Sequence, residues 1–187
     1  MIDQNWFAEY FSLYNDSFTM AGLASRLIEL KEKMVAINET GKKVIIAGNG
    51  GSAAIAGHCA VDFSKNAHIR MVCFNMADLI TCLANDYGYT QWLAKAIEIY
   101  GDEGDMAILI SSSGRSENMV QAAAAARNKG MTVVTLTGFH ENNPLKQAGD
   151  LNLWLNSRAY NIVEMTHQIW LLAVCDAIIG KAEYPAN

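Results

Sequence analysis

Apolar positions recur along the chain with two spacings, and these divide it into strands and helices. Continuous apolar runs predict five buried strands, at residues 44–47, 70–74, 106–110, 132–136 and 151–155. Apolar residues three and four positions apart predict helices between them, at residues 52–65, 77–84, 89–99, 116–129, 144–148 and about 160–180. Because continuous apolar strands that alternate with helices are typical of a covered parallel sheet, we expect an α/β fold with a five-stranded parallel sheet sandwiched by helices in three layers.

Two further amphipathic helices are predicted ahead of the first strand, at residues 3–16 and 18–38. In the second of them Leu23, Leu27 and Leu30 recur at helical spacing. These helices belong to no strand–helix unit, so we expect residues 1–38 to pack on the domain or to build a subunit interface. The length of 187 residues suits one domain, which we expect to span residues 1–187.

Composition and charge exclude several classes of protein. Apolar residues make up 51% and charged residues 18%, which indicates a folded chain. A net charge of −5 without a basic tract argues against a nucleic-acid partner. The N-terminus has no basic or apolar signal region, and no uninterrupted apolar run approaches the ~20 residues of a membrane span. We therefore expect a cytoplasmic protein with no membrane partner.

Cysteine usage agrees with that location. Cys59, Cys73, Cys82 and Cys175 lie far apart in apolar segments and form no C-x-x-C pair. Reduced, buried thiols are therefore expected in preference to a disulfide or a cysteine zinc site.

Candidate chemistry is concentrated in two loops rich in serine and glycine. The first loop, residues 48–52 (GNGGS), follows the first strand; the second loop, residues 111–116 (SSSGRS), follows the third strand; and each opens a helix. Unpaired N–H groups and the positive end of the helix dipole converge at such turns, so an anion can be held without lysine. Ligands bind beyond the carboxyl ends of parallel strands, where both loops and, we expect, residues 84–87 lie. The pattern favours a bound sugar phosphate, although Ser116 could instead cap its helix.

Other uses of these loops find less support in the sequence. Gly48, Gly50 and Ala53 match a dinucleotide fingerprint, but the second strand ends in CFNM with no acidic residue until Asp78. No nucleotide cofactor is therefore expected. A serine nucleophile would need a base and an orienting group, or a G-x-S-x-G turn, and neither is readable in the second loop.

Taken in order, these motifs resemble the sugar isomerase (SIS) domain and, more narrowly, the phosphoheptose isomerase family. The resemblance covers nearly the whole chain and rests on residues 47–54, His58, residues 84–86, 111–116 and 135–138, and the run VExxHQ at 163–168. It implies an isomerase that interconverts a ketose phosphate and an aldose phosphate, sedoheptulose 7-phosphate and heptose 7-phosphate, through an enediol. It also implies a homotetramer with pockets between subunits.

The resemblance assigns a substrate-binding set. Serine residues would hold the phosphate, and Asn49 and Asp86 would line the sugar pocket. The full set is Asn49, Gly50, Gly51, Ser52, Asp86, Ser111, Ser112, Ser113, Ser116 and Glu164.

Two helical acid–histidine pairs are the candidates for proton transfer. His58 and Asp62 stand four positions apart, and Glu164 and His167 stand three apart, so each pair shares a helix face. We expect Asp62 to act as the base, with His58, Glu164 and His167 in support, because isomerisation through an enediol needs a base and a proton shuttle. The resemblance further implies zinc, held by His58, Asp62 and Glu164. Alternatively, the histidines are structural and the acids lie on solvated faces.

The chain departs from the family pattern at its catalytic positions. Asp62 stands where the family has glutamate, Glu164 where it has glutamine, and Leu172 where it has the catalytic histidine; Arg115 replaces a small polar residue. The phosphate loops are intact while the proton-transfer set is altered. An alternative is therefore a non-catalytic sugar-phosphate-binding regulatory SIS protein, such as a tetramer that binds a replication initiator. A third possibility is an isomerase for a hexulose or pentose phosphate.

Overall fold

The computed structural model describes residues 3–185, which contain nine α-helices and five β-strands. The strands are β1 Val44–Gly48, β2 Met71–Cys73, β3 Met106–Ser111, β4 Thr132–Thr137 and β5 Leu151–Trp154. The helices are α1 Gln4–Ser12, α2 Asn15–Thr19, α3 Leu23–Glu39, α4 Gly51–Lys65, α5 Ala77–Tyr87, α6 Trp92–Tyr100, α7 Glu117–Asn128, α8 Pro144–Ala148 and α9 Tyr160–Ile179.

The five strands form one parallel sheet in the order β2-β1-β3-β4-β5. All residues of β1 and β3 are buried, as their unbroken apolar sequences predict. The two strands pair directly, with Gly48 opposite Ile110. The strand order reverses between β1 and β3, and this is where open α/β sheets bind ligands. The first and second loops therefore lie side by side.

Hydrophobic cores cover both faces of the sheet and confirm the three-layer prediction. One core includes Leu30 of α3, Phe63 of α4 and Trp170 of α9. The other includes Trp92 of α6 and Met119 of α7. Each named side chain is almost completely buried, so the sheet is screened from water on both sides.

The N-terminal segment differs from the prediction, because three helices replace the expected two. The backbone turns at Gly22, whose φ of +76° no helix interior accepts, and α3 begins only after it. The buried Ser17 of α2 ties this segment to α9: its Oγ lies 2.9 Å from Thr166 Oγ1, and its carbonyl accepts a 2.9 Å hydrogen bond from Trp170 Nε1. Residues 1–2 and 186–187 of the expected domain lie outside the described residues.

Helix α9 has the length and composition of a membrane span, which differs from the expectation that no such segment is present. The helix has 20 residues, and an 18-residue stretch of it has a mean hydropathy of 1.5. Of that stretch, 44% is buried inside the protein. A core helix of a globular domain meets the same criteria, and α9 packs on α3 and α4. Its apolar composition is accounted for by that packing.

All four cysteines carry free thiols, but only some are buried as expected. Cys59 and Cys175 are buried, Cys73 is half-buried and Cys82 is exposed. Burial raises the pKa of the Cys59 thiol to about 12 and that of Cys175 to about 11. These two behave as small apolar residues of the core.

Candidate functional site

A cavity of about 300 Å³ opens at the carboxyl ends of β1 and β3. The two loops and the start of α9 enclose it. Its lining consists of Asn49, Gly50, Gly51, Ser52, Ile110, Ser111, Ser112, Ser113, Ser116, Tyr160 and Glu164. The structure thus brings together every predicted substrate-binding residue except Asp86. Of these lining residues Glu164 alone carries a charge, and an anion bound here would meet hydroxyl and amide donors.

The first loop makes a tight turn from β1 into α4. Asn75, at the end of β2, fixes its start: Gly48 N donates to Asn75 Oδ1 at 3.1 Å, and Asn75 Nδ2 donates to Gly48 O at 2.8 Å. A Cβ at Gly48 would lie 2.6 Å from Ser52 Cβ, so only glycine lets the helix approach the strand this closely. No side chain caps α4. Ser52 N and Ala53 N donate to the carbonyl groups of Asn49 and Gly50, whereas the N–H of Gly51, in the cavity wall, has no acceptor within residues 3–185.

The second loop presents hydroxyl groups to the same cavity. Ser111 Oγ lies 3.1 Å from Ser116 Oγ, and Arg115 N donates to Ser113 Oγ at 3.2 Å. Ser116 precedes α7 but makes no side-chain cap bond, so helix capping alone does not explain its hydroxyl. Ser112 Oγ is buried and has no hydrogen-bond partner among the described residues. A buried hydroxyl without a partner at a cavity wall is suited to a ligand oxygen.

Glu164 projects from the second turn of α9 toward the first loop. A Cβ at Gly51 would lie 2.6 Å from Glu164 Cδ and closer still to Oε2. The absence of a side chain at Gly51 therefore makes room for the carboxylate. It also brings the carboxylate to the positive end of α4, where a negative charge is stabilised. A carboxylate thus lies in the wall of the cavity.

Asn49 is held by two residues that the sequence interpretation missed, Asn118 and Tyr89. Asn49 Nδ2 donates to Asn118 Oδ1 and Asn118 Nδ2 donates to Asn49 Oδ1, both at 2.9 Å. The Tyr89 hydroxyl donates to Asn49 Oδ1 at 3.1 Å. The signal for Asn118 was a polar residue at a buried position of an alanine-rich helix. Nothing in the local pattern marked Tyr89.

His58 and Asp62 share a face of α4 as predicted, but neither lines the cavity. His58 Nε2 lies 3.1 Å from Asp62 Oδ2, and Gln168 Nε2 of α9 lies 2.8 Å from His58 Nδ1. Both ring nitrogens of His58 are therefore engaged. Gln168 was not predicted to have a role, and Leu172, one turn further along α9, is half-buried against the core.

His167 lies in the protein core, away from the cavity. Its ring is completely buried, and Nε2 lies 3.2 Å from the carbonyl oxygen of Thr137 in β4. Burial lowers the pKa of this imidazole to about 4, so it is neutral near pH 7. Three residues correspond to about 300° of helix rotation, which leaves Glu164 and His167 about 60° apart around α9. That angle is enough for Glu164 to face the cavity while His167 faces the sheet, so the expected catalytic role of His167 has no geometric basis here.

Asp86 lies on the last turn of α5 and is exposed. Asn85 Nδ2 donates to its Oδ1 at 2.9 Å, and Asp86 does not line the cavity. The turn after α5 nevertheless contacts the site, because the Tyr89 hydroxyl donates to Asn49.

The predicted zinc ligands are not assembled into one group. Glu164 lies in the cavity wall, whereas the His58 ring is occupied by Asp62 and Gln168. Among residues 3–185, no three His, Cys, Asp or Glu side chains are placed to hold a metal ion. As arranged, the three predicted ligands His58, Asp62 and Glu164 do not form one metal-binding group.

Comparisons with known proteins agree with the geometry. The SIS domain family model matches residues 9–138. The chain is 32% identical over 164 residues to the phosphoheptose isomerase of Fusobacterium nucleatum, covering 85% of this chain and 84% of that protein. It is 30% identical over 174 residues to that of Sulfurimonas denitrificans, covering 90% and 89%. The structure superposes on a phosphoheptose isomerase from Francisella tularensis with a TM-score of 0.88 at 27% identity, covering 97% of this chain and all of the other (100%).

Proposed function

This chain belongs to the SIS domain family and, within it, to the phosphoheptose isomerases, and we propose that it interconverts sedoheptulose 7-phosphate and heptose 7-phosphate through an enediol. The observation that carries the proposal is one cavity in which uncapped helix ends, the unpartnered Ser112 hydroxyl and the Glu164 carboxylate converge. The regulatory alternative is not favoured, because the relatives that are at least 30% identical over most of the chain are named as phosphoheptose isomerases.

The phosphate is proposed to bind between the two loops. The donors are the hydroxyl groups of Ser52, Ser111, Ser112, Ser113 and Ser116, together with first-turn N–H groups of α4 and α7. The two helix dipoles favour the negative charge there. These groups recognise the phosphate and not the length of the sugar, so hexulose and pentose phosphates belong in the same assay.

Glu164 is proposed to move the proton between C1 and C2. It is the charged side chain of the cavity wall, and the absence of a side chain at Gly51 leaves room for its carboxylate there. Glu164 takes the proton from C1 of the ketose to give the enediol and delivers a proton to C2, while the hydroxyl proton on O1 passes through solvent to O2, which yields the aldose. Donors such as the Asn49 amide stabilise the enediolate oxygens. The role of Asp62 as base remains a prediction that an Asp62→Asn variant tests; its position outside the cavity wall favours Glu164.

Turnover of sedoheptulose 7-phosphate by the wild type and by a Glu164→Gln variant tests this proposal. We expect kcat to fall at least about 10²-fold in Glu164→Gln, the usual contribution of a general base. Glu103→Gln is the control, because Glu103 is an exposed carboxylate in the loop before β3, at the end of the strands opposite the cavity. Phosphate binding without turnover of any ketose phosphate would instead support a binding module.

A homotetramer is proposed, with the N-terminal helices in its interface. Helix α1 buries no side chain within the chain, yet it carries Trp6, Phe7 and Phe11, which are 42%, 51% and 64% exposed. Such an apolar surface is typical of an interface. Sedimentation equilibrium of the wild type and of a Phe11→Glu variant tests this, and the variant is expected to shift toward smaller species.

A cytoplasmic location is also proposed, and the free thiols of all four cysteines support it. Fractionation of cells that express the chain would test it.

A further inference from the structure

A reciprocal pair of side-chain amides connects the two loops. Asn49 comes from the first loop, and Asn118 lies in the first turn of α7, just after the second loop. Their two hydrogen bonds are both 2.9 Å long and join positions 69 residues apart. Asn118 is 3% exposed, so water competes little for this pair. The pair fixes both the spacing of the loops and the plane of the Asn49 amide.

Tyr89 completes the set of partners of Asn49. Its hydroxyl donates to Asn49 Oδ1 at 3.1 Å, so that oxygen accepts two hydrogen bonds and has no lone pair left. Asn49 Nδ2 gives one N–H to Asn118, while its second N–H has no acceptor within residues 3–185. Because Asn49 lines the cavity, the group that it offers to a ligand is a donor.

We propose that Asn118 and Tyr89 are positioning residues that hold the Asn49 amide so that its free N–H donates to a sugar oxygen of the bound sugar phosphate. The inference rests on the proposed function and adds residues to its site. A rotated Asn49 would present its carbonyl oxygen instead and would repel the negative oxygen of an enediolate. A fixed donor stabilises that oxygen without reorganising during the reaction.

Kinetics of Asn118→Ala and Tyr89→Phe test the proposal. We expect kcat for sedoheptulose 7-phosphate to fall about 10-fold in Asn118→Ala, which is less than the ~10²-fold loss typical of removing an oxyanion donor itself. A smaller loss, about 3-fold, is expected for Tyr89→Phe, because one of two bonds to Asn49 Oδ1 remains. Inhibition by inorganic phosphate should change by less than about 2-fold, since the serines and helix ends hold that anion.

Matched controls exist for both variants. Asn128→Ala removes an exposed asparagine from the other end of α7, and Tyr100→Phe removes an exposed hydroxyl outside the cavity; both should keep wild-type kinetics. Tyr89 is 56% exposed, so Tyr89→Phe is expected to fold even if Asn118→Ala does not.

A double variant separates positioning from a merely structural role. If Asn118 acts through Asn49, then Asn49→Ala combined with Asn118→Ala should lose no more kcat than Asn49→Ala alone. Fully additive losses would overturn the proposal, as would equal weakening of inorganic phosphate binding.

A spectroscopic measurement keeps this inference separate from the proposed function. In the unliganded wild type, the two side-chain N–H protons of Asn49 should give well-separated NMR signals, because one is hydrogen-bonded and the other is free. We expect Asn118→Ala to bring these signals together and Asn128→Ala to leave them unchanged. If Asn118→Ala brings the Asn49 signals together but the wild type turns over no ketose phosphate, only the proposed function is refuted. If the Asn49 signals are the same in Asn118→Ala as in the wild type, the positioning role of Asn118 is refuted.

Discussion

Gly51→Ala is predicted to remove catalysis without unfolding the protein. The new Cβ would lie 2.6 Å from Glu164 Cδ, a separation that real side chains do not show. The obstructing group is the end of a flexible side chain, so the carboxylate can swing away from the first loop while the backbone stays in place. Glu164 would then leave the position from which it is proposed to reach C1 and C2.

The magnitudes of the two effects differ greatly. Glycine to alanine within a helix stabilises by about 0.5–1 kcal/mol where the backbone accepts it. Loss of the carboxylate from the N-terminus of α4 costs about 0.3–1 kcal/mol, so the free energy of unfolding should change by less than about 1 kcal/mol. In contrast, kcat should fall about 10²-fold, as for Glu164→Gln, because the base is displaced.

The assay compares turnover and urea unfolding of Gly51→Ala with those of Gly57→Ala. Gly57 lies on the same helix, and a Cβ there meets nothing within 4 Å, so this control should keep full kcat and gain up to about 1 kcal/mol of stability. Adding Glu164→Gln to Gly51→Ala should cause no further loss. Wild-type kcat in Gly51→Ala would refute the argument that this contact places the base.

Three further predictions concern other parts of the molecule. Ser112→Ala should weaken binding of the sugar phosphate about 10-fold by calorimetry and leave the unliganded stability equal or higher, because a buried hydroxyl without a partner is removed; weaker stability with unchanged binding would contradict this. His167 takes up a proton below its ordinary pKa of 6.5 in the unfolded chain but only below about pH 4 in the folded chain. The free energy of unfolding should therefore fall by about 3 kcal/mol as the pH drops from 6.5 to about 4. In urea unfolding of His167→Leu, the free energy of unfolding should lack this part of its pH dependence. Equal pH dependence in the wild type and the variant would disprove the prediction. Chelation should leave turnover within about twofold because both ring nitrogens of His58 are engaged, and restoration of lost activity by zinc would show that the site rearranges around metal.

The sheet was predictable because β1 and β3 are continuous apolar runs, the other three strands are rich in apolar or β-branched residues, and the connections between strands have helical spacing. The division of the N-terminal segment was not, because the apolar spacing placed one break near residue 17, whereas the helical structure breaks after Ser12 and again between Thr19 and Leu23, where the backbone turns at Gly22. The helix boundaries elsewhere shifted by only a few residues, as at α5, which ends at Tyr87, and at α6, which begins at Trp92 and ends at Tyr100.

The position of the two loops was also predictable, because the order of the strands brings the carboxyl ends of β1 and β3 together independently of the loop side chains. Spacing along α9 predicted that Glu164 and His167 share a face, but spacing alone does not tell which residue of a face meets the cavity. The partners of Asn49 could not be found from a local pattern, because Tyr89 and Asn118 lie 40 and 69 positions away.

The central claim is that Glu164 moves a proton between C1 and C2 of a ketose phosphate held by the two loops. Conversion of sedoheptulose 7-phosphate in D₂O, followed by NMR, tests this most directly. The account predicts an aldose phosphate formed by the wild type and at least about 10²-fold more slowly by Glu164→Gln, and its C2 carries solvent deuterium to the extent that the proton on Glu164 exchanges with D₂O at the enediol stage. An aldose formed at equal rates by both proteins, or no aldose from the wild type, would contradict it.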